Sequence, residues 1–293
     1  MKTIFIATDF SPASRNATLF GIEMANVLHA DVVLFNAYVV PLSIPESYII
    51  VNPDDVKQAA LAYLMDEKNA VKDKCLQHIH VLAEEGSATE TILKNARMYT
   101  DCLLVAGMKG EGRNFKKWFG STTSGLARKS DLPLLIVPEE ARLQKLQKMA
   151  LGVDVDFDTN LRSLDALREI GLCFQSRVDI VRVLNYNAPV VNELSIRSSH
   201  LMNSLKPLET AYQFPRADDV MVGLDEFIRE NKVDMLCLMP QHHTLFERIF
   251  VRSETRKLIF HAHIPLLLLP EITPEKTDKK SRPAEMQVRS SIS

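Results

Sequence analysis

The chain has 293 residues, long enough for two ordinary domains. Hydrophobic residues make up 46% and charged residues 25%, with a net charge of -2, a balance that excludes a disordered chain and a general nucleic-acid binder. Cys75, Cys102, Cys173 and Cys237 are scattered without CxxC spacing and read as small buried hydrophobes in a reducing compartment. No apolar run approaches the roughly 20 residues that span a bilayer. The opening stretch reaches Asp9 too soon to hold a signal-peptide core, so a cytoplasmic location with no membrane partner is expected.

Thr3 to Thr8 is a short apolar run and reads as a buried parallel strand ended by Asp9. Ser11-Pro12 offers a cap followed by proline at the first helical position, and Ala13 to Leu28 carries helical periodicity. Asp31 to Tyr38 is a second apolar strand. A proline-containing loop from Pro41 to Pro53 leads to Asp54-Asp55 and an alanine-rich helix ending near Asp73. His78 to Ala83 alternates as a third strand and ends at Glu84-Glu85-Gly86. A helix follows from Ala88 to Tyr99, with Ser87 or Thr89 near its cap. Cys102 to Ala106 is a fourth strand, and Pro133 to Pro138 a fifth. Strand and helix alternate throughout, which predicts an α/β fold with a mainly parallel, doubly wound sheet and right-handed crossovers. In such sheets ligands sit beyond the carboxyl ends of the strands, where Asp9 and Gly107 would both lie.

Between the fourth and fifth strands, Gly107 and Gly110 stand three positions apart and read as a turn. Gly120 follows ten positions after Gly110, ahead of Ser121, Thr122 and Thr123, each suited to cap a helix running to Lys129. A strand, a glycine loop and a helix N-terminus make an anion site, because free N–H groups and the helix dipole point outward. Lys109, Arg113, Lys116 and Lys117 add positive charge, and phosphate is the natural guest. The same residues also fit a tight turn with an ordinary capped helix. Phe115 stands where GxGxxG needs its last glycine, and no G-x4-G-K-[S/T] loop exists, so a P-loop ATPase is not indicated.

The pattern then repeats. Leu132 to Pro138 matches Ile264 to Pro270, and Asp101 to Val105 matches Asp234 to Leu238. Met149 to Val153 followed by Asp154 corresponds to Ile4 to Thr8 followed by Asp9, and Val178 to Leu184 to the second strand. Asp218 to Glu230 stands for the helix before the fourth strand. The join, Glu139 to Lys148, is short, charged and expected to be partly helical, which holds the two copies close. The division expected is therefore 1–140, 148–271, and a polar, disordered tail over 272–293.

Ile6-Ala7-Thr8-Asp9-Phe10-Ser11, the Glu85-Gly86 step, the final Pro133-to-Pro138 strand and Gly107-x2-Gly110-x9-Gly120-Ser121 resemble the universal stress protein family. The resemblance covers the first 140 residues well and residues 148–271 more weakly, so the chain is similar to a tandem universal stress protein. It implies two Rossmann-like domains paired as an intramolecular pseudo-dimer, with Leu134 to Val137 against Leu266 to Leu269. The spacing G-x2-G-x9-G-[S/T] implies the nucleotide-binding branch and ATP, with or without Mg, as the bound group. Carried over position by position, the resemblance implies that Asp9 meets the adenosine moiety and the backbone near Ala37 meets adenine. It implies that Gly107, Gly110, Gly120, Ser121 and the adjacent Thr122 hold the phosphates. Asp9 has a second reading, a strand-end residue capping the next helix.

The second copy has no glycine at positions equivalent to Gly107, Gly110 or Gly120, and Pro240 removes a donor, so nucleotide is expected in the first domain only. His242, His243, His261 and His263 are not spaced as a metal site. Lys116-Lys117-Trp118-Phe119 reads as a solvated basic turn anchored by its aromatics in preference to a docking element. Three functions are compatible with the residues: a regulatory nucleotide-binding module, a slow ATPase without a visible general base, and an adaptor that contacts an unidentified protein. A homodimer of tandem chains is compatible with each.

Overall fold

Every residue of β1 (Thr3–Ala7) is buried, as a run of branched and aromatic side chains at the centre of a sheet requires. The computed structural model describes residues 1–41, 52–109, 120–143, 145–153, 161–186, 200–239 and 264–270. Helix α1 (Pro12–Leu28) follows, started by Ser11, whose hydroxyl accepts the Ser14 N–H, and by proline in the first turn. Then come β2 (Asp31–Tyr38) and α2 (Pro53–Val71), the latter capped by Asn52, whose side chain accepts the Asp54 N–H. Strand β3 (Ile79–Glu85), α3 (Ala88–Ala96), β4 (Cys102–Met108), α4 (Ser121–Lys129) and β5 (Leu134–Pro138) complete the first half. The second half runs β6 (Lys148–Gly152), α5 (Asp165–Phe174), β7 (Arg177–Val181), β8 (Thr210–Gln213), α6 (Val220–Asn231), β9 (Met235–Leu238) and β10 (Leu266–Leu268).

The ten strands among the described residues lie in one sheet, ordered β3-β2-β1-β4-β5-β10-β9-β6-β7-β8. Each half has the same order read outward from the middle, as the internal repeat requires. Every pairing is parallel except the central one, where Leu134, Leu135 and Ile136 of β5 run antiparallel to Leu268, Leu267 and Leu266 of β10. The pairing of final strands implied by the family resemblance is thus present within one chain.

Successive strand residues face opposite sides of the sheet, and the core divides accordingly. Ile4, Ile6, Leu103, Val105, Leu135, Val137, Cys237 and Leu267 pack under α1, α2 and α5. Phe5, Ala7, Leu104, Ala106, Ile136, Leu236 and Leu268 pack under α3, α4 and α6. Both layers cross the β5–β10 seam without a break, so the two halves share their apolar interior. No described helix is long and apolar enough to cross a membrane.

The join between halves differs from expectation. Residues 139–147 contain a turn but no helix among the described residues. Their carbonyls are captured by side chains: Asn16 Nδ2 donates to Pro138 O and Ala141 O, both at 2.9 Å. Arg142 Nη1 donates to Asn16 Oδ1 at 2.6 Å, and to Glu139 O and Ala141 O. Carbonyls engaged this way have no need of helical partners, and the join is stapled to α1. Residues 42–51, the histidines His242, His243, His261 and His263, Pro240 and the tail lie outside the described residues.

Candidate functional site

A cavity of about 260 Å³ opens where the carboxyl ends of β1, β2 and β4 meet the first turns of α1, α3 and α4. Asp9, Ala37, Gly107, Gly120, Ser121 and Thr122 all line it, drawn together from positions more than a hundred residues apart. Gly110, with Arg113, Lys116, Lys117, Trp118 and Phe119, lies outside the described residues. Lys109 lines the same cavity. So do Thr8, Ser14, Ala88 and Ile92, which sequence reasoning did not assign to a site. Their signal was positional: Thr8 and Ser14 flank the Asp9 loop, and Ala88 and Ile92 share one face of α3 one turn apart.

Asp9 follows β1 on an exposed loop, and its Oδ1 accepts the Ser11 N–H at 3.1 Å. It does not cap α1, because Ser11 does so through the Ser14 N–H at 3.3 Å. Burial pushes the Asp9 carboxyl upward, but hydrogen bonds from the Ser11 and Ser14 side chains and the Ser11 backbone outweigh it. The net effect holds Asp9 below the usual carboxylate range, so it is an anion at neutral pH. Phe10, next in the chain, has φ 64°, a left-handed conformation that a non-glycine residue adopts only when its surroundings enforce it.

Gly107 is not a turn residue. It lies inside β4, paired with Val137, and its φ is outside the left-handed range. Glycine is needed there because α1 begins against it. A Cβ would lie 2.5 Å from Ala13 O, 2.6 Å from Ala13 C and 2.8 Å from Ser14 N, all backbone atoms. The cap of α4 also differs from expectation. The N-cap is Gly120, without a side-chain cap hydrogen bond, and Ser121 is the first helical residue. Thr123 is turned inward and donates to Gly107 O at 3.0 Å, tying α4 to β4.

Gly120 is the converse of Gly107. Its φ is -54°, which any residue adopts, and a Cβ placed there meets no described residue within 4 Å. The missing side chain leaves the approach to the α4 N-terminus open on the cavity side. The first N–H groups of a helix have no intrahelical partner and lie at the positive end of its dipole. The cavity therefore has an anionic end at Asp9, a cationic end at Lys109 and the start of α4, and an apolar wall of Ala37, Ala88 and Ile92.

A ten-stranded sheet whose halves have the same strand order and meet through their last strands, with a helix-capped cavity beyond β1 and β4, defines a doubly wound α/β protein. Residues 1–138 match the model of the universal stress protein family. The stress response protein NhaX of Bacillus subtilis is 23% identical over 164 residues, spanning 46% of this chain and 96% of the relative. A universal stress protein from Archaeoglobus fulgidus shares the fold over 92% of this chain and 98% of its own, with a TM-score of 0.70 at 14% identity. A universal stress protein solved in complex with cAMP aligns with 46% of this chain and 96% of its own, at 22% identity and a TM-score of 0.38.

Proposed function

We propose that residues 1–140 form a regulatory domain that binds an adenine nucleotide, ATP in the first instance, once per chain. Residues 148–271 are its built-in pseudo-dimer partner, and 272–293 a tail. The observation that carries the reading is the single cavity shared by Asp9, Ala37, Gly107, Gly120, Ser121 and Thr122. Its polarity suits a molecule with a flat apolar base, a hydroxylated middle and an anionic end. The base lies along Ala37, Ala88 and Ile92, and the Asp9 carboxylate accepts from ribose hydroxyls. The phosphates meet the N–H groups that open α4, with Lys109 beside them. A magnesium ion, where present, would arrive on the phosphates.

Regulation then follows from linkage. A nucleotide that binds only the ordered arrangement of the α1 and α4 starts stabilises that arrangement in proportion to its occupancy. Calorimetric titration with Mg-ATP tests the reading. It predicts one saturable site per chain and no phosphate release above the rate in buffer. The absence of saturable heat refutes nucleotide binding, two sites refute the assignment to one domain, and sustained phosphate release favours a slow ATPase.

A further inference from the structure

Glu67 is a carboxylate in the wrong place for a surface helix. It sits on the buried face of α2 with Ala60, Leu64 and Val71, and is only 8% exposed. A buried carboxylate is costly unless it is paired or hydrogen-bonded. Among the described residues no ion pair reaches it. Its partners are two buried hydroxyls: Thr8 donates to Oε2 at 3.0 Å, and Thr18 of α1 donates to Oε1.

Thr8 is the residue before Asp9. Its one proton has two acceptors in reach, Glu67 Oε2 and, slightly farther at 3.2 Å, Ser14 Oγ, while its Oγ1 accepts the Phe10 N–H at 3.1 Å. That bond reaches across Asp9 and accompanies the left-handed conformation of Phe10. Tyr63, one turn earlier on the same face of α2, packs its ring on Phe10 with centroids 5.4 Å apart. Helix α2 therefore grips both residues that flank Asp9, one through a hydroxyl and one through a ring.

We propose that Glu67 and Tyr63 are positioning residues for Asp9: α2 sets the direction of the carboxylate that faces the cavity, and through it the affinity for the ligand's hydroxylated part. The ligand half of this inference rests on the nucleotide reading above; the positioning half does not. The preferred alignment is directional, because a carboxylate only accepts and so orders the Thr8 hydroxyl toward itself. A Glu67→Leu change removes that order. A Thr8→Val change removes both the donor to Glu67 and the acceptor of Phe10, while Thr8→Ser keeps them. Tyr63 is 58% exposed, so Tyr63→Leu removes the ring contact with the fold intact.

The test has two arms on the full chain. In the first, without ligand, carbon NMR follows the titration of the Asp9 carboxyl. Thr8→Val, Glu67→Leu and Tyr63→Leu are expected to move its midpoint toward the ordinary carboxyl value, and Thr8→Ser to leave it. An Asp9 titration unmoved by all three overturns the inference; if the buried variants fail to fold, Tyr63→Leu alone decides it. In the second arm, ATP titration should show about tenfold weaker binding for Thr8→Val and Tyr63→Leu, the scale of one disrupted polar contact. The same changes should have no further effect when Asp9 is already alanine. Equal losses in both backgrounds overturn the inference. A moved Asp9 titration in a wild-type protein that binds no ATP supports the positioning and refutes only the nucleotide reading.

Discussion

Gly107→Ala isolates the contact that brings α1 against β4. The added Cβ would lie 2.5 Å from Ala13 O, about 0.9 Å inside the 3.4 Å at which ordinary contact begins. Neither partner can yield by a side-chain rotation, since Ala13 O, Ala13 C and Ser14 N are all backbone. On one side β4 is fixed between β1 and β5. On the other, Ala13 and Ser14 are buried at 3% and 4% exposure and open a helix stapled to the join by Asn16. Overpacking of this kind costs about 1–3 kcal/mol. Urea unfolding should show a lower midpoint with an unchanged slope. Gly120→Ala is the matched control. Its Cβ meets no described residue within 4 Å and its φ is permissible, so stability should stay within about 0.5 kcal/mol or rise slightly through the unfolded chain. A Gly107→Ala protein as stable as wild type, or a Gly120→Ala protein equally damaged, would refute the reasoning.

Two further outcomes are expected. Asp9 has its carboxyl held below the ordinary value, so its contribution to stability is present at pH values above that ordinary value and is lost as pH falls through the lowered one. Urea midpoints of wild type and Asp9→Asn should therefore differ at pH 7 and converge in acid; a difference that grows in acid would contradict the sign. Burial pushes the Cys102 thiol up to about 12 and the Cys237 thiol further still, whereas Cys173 is exposed. Mass spectrometry after maleimide treatment of the native protein should find Cys173 modified first and Cys102 and Cys237 unmodified until unfolding; early labelling of Cys102 would show that its strand opens.

The central strands were legible because each is a short apolar run buried on both faces, and the repeat made the antiparallel β5–β10 seam readable as two copies of one final strand. Strand β8 (Thr210–Gln213), partly exposed along its whole length, carries no such run and went unread. The cavity lining was legible as far as a local pattern could carry it. What spacing could not disclose was the reason for each glycine. Gly107 looks like half of a turn motif, yet its small size serves a helix that begins more than ninety residues earlier in the chain. Gly120, by contrast, would give a Cβ with no described residue within 4 Å. The threonine-rich start of α4 suggested side-chain caps, but Thr123 is spent on Gly107 O across the sheet. Glu67 was hidden because a glutamate in an α-helix attracts no notice. Its signal was its phase: it stands on the stripe of Ala60, Leu64 and Val71, where an apolar residue belongs. The join looked helical from its charge, and Asn16 and Arg142 took its carbonyls instead.

The most direct measurement pairs ATP affinity with stability in Gly120→Glu. The added Cβ would have no described residue within 4 Å, and the carboxylate would stand at the start of α4, where the proposal puts the phosphates. A carboxylate at a helix N-terminus also suits the dipole, so the urea midpoint should be unchanged or slightly higher. Calorimetry should find one saturable ATP site in wild type and binding at least about tenfold weaker in the variant, the scale of one or more lost charge-assisted contacts. ATP binding of equal strength in a stably folded Gly120→Glu protein, or none in wild type, would contradict the placement of a nucleotide at the start of α4.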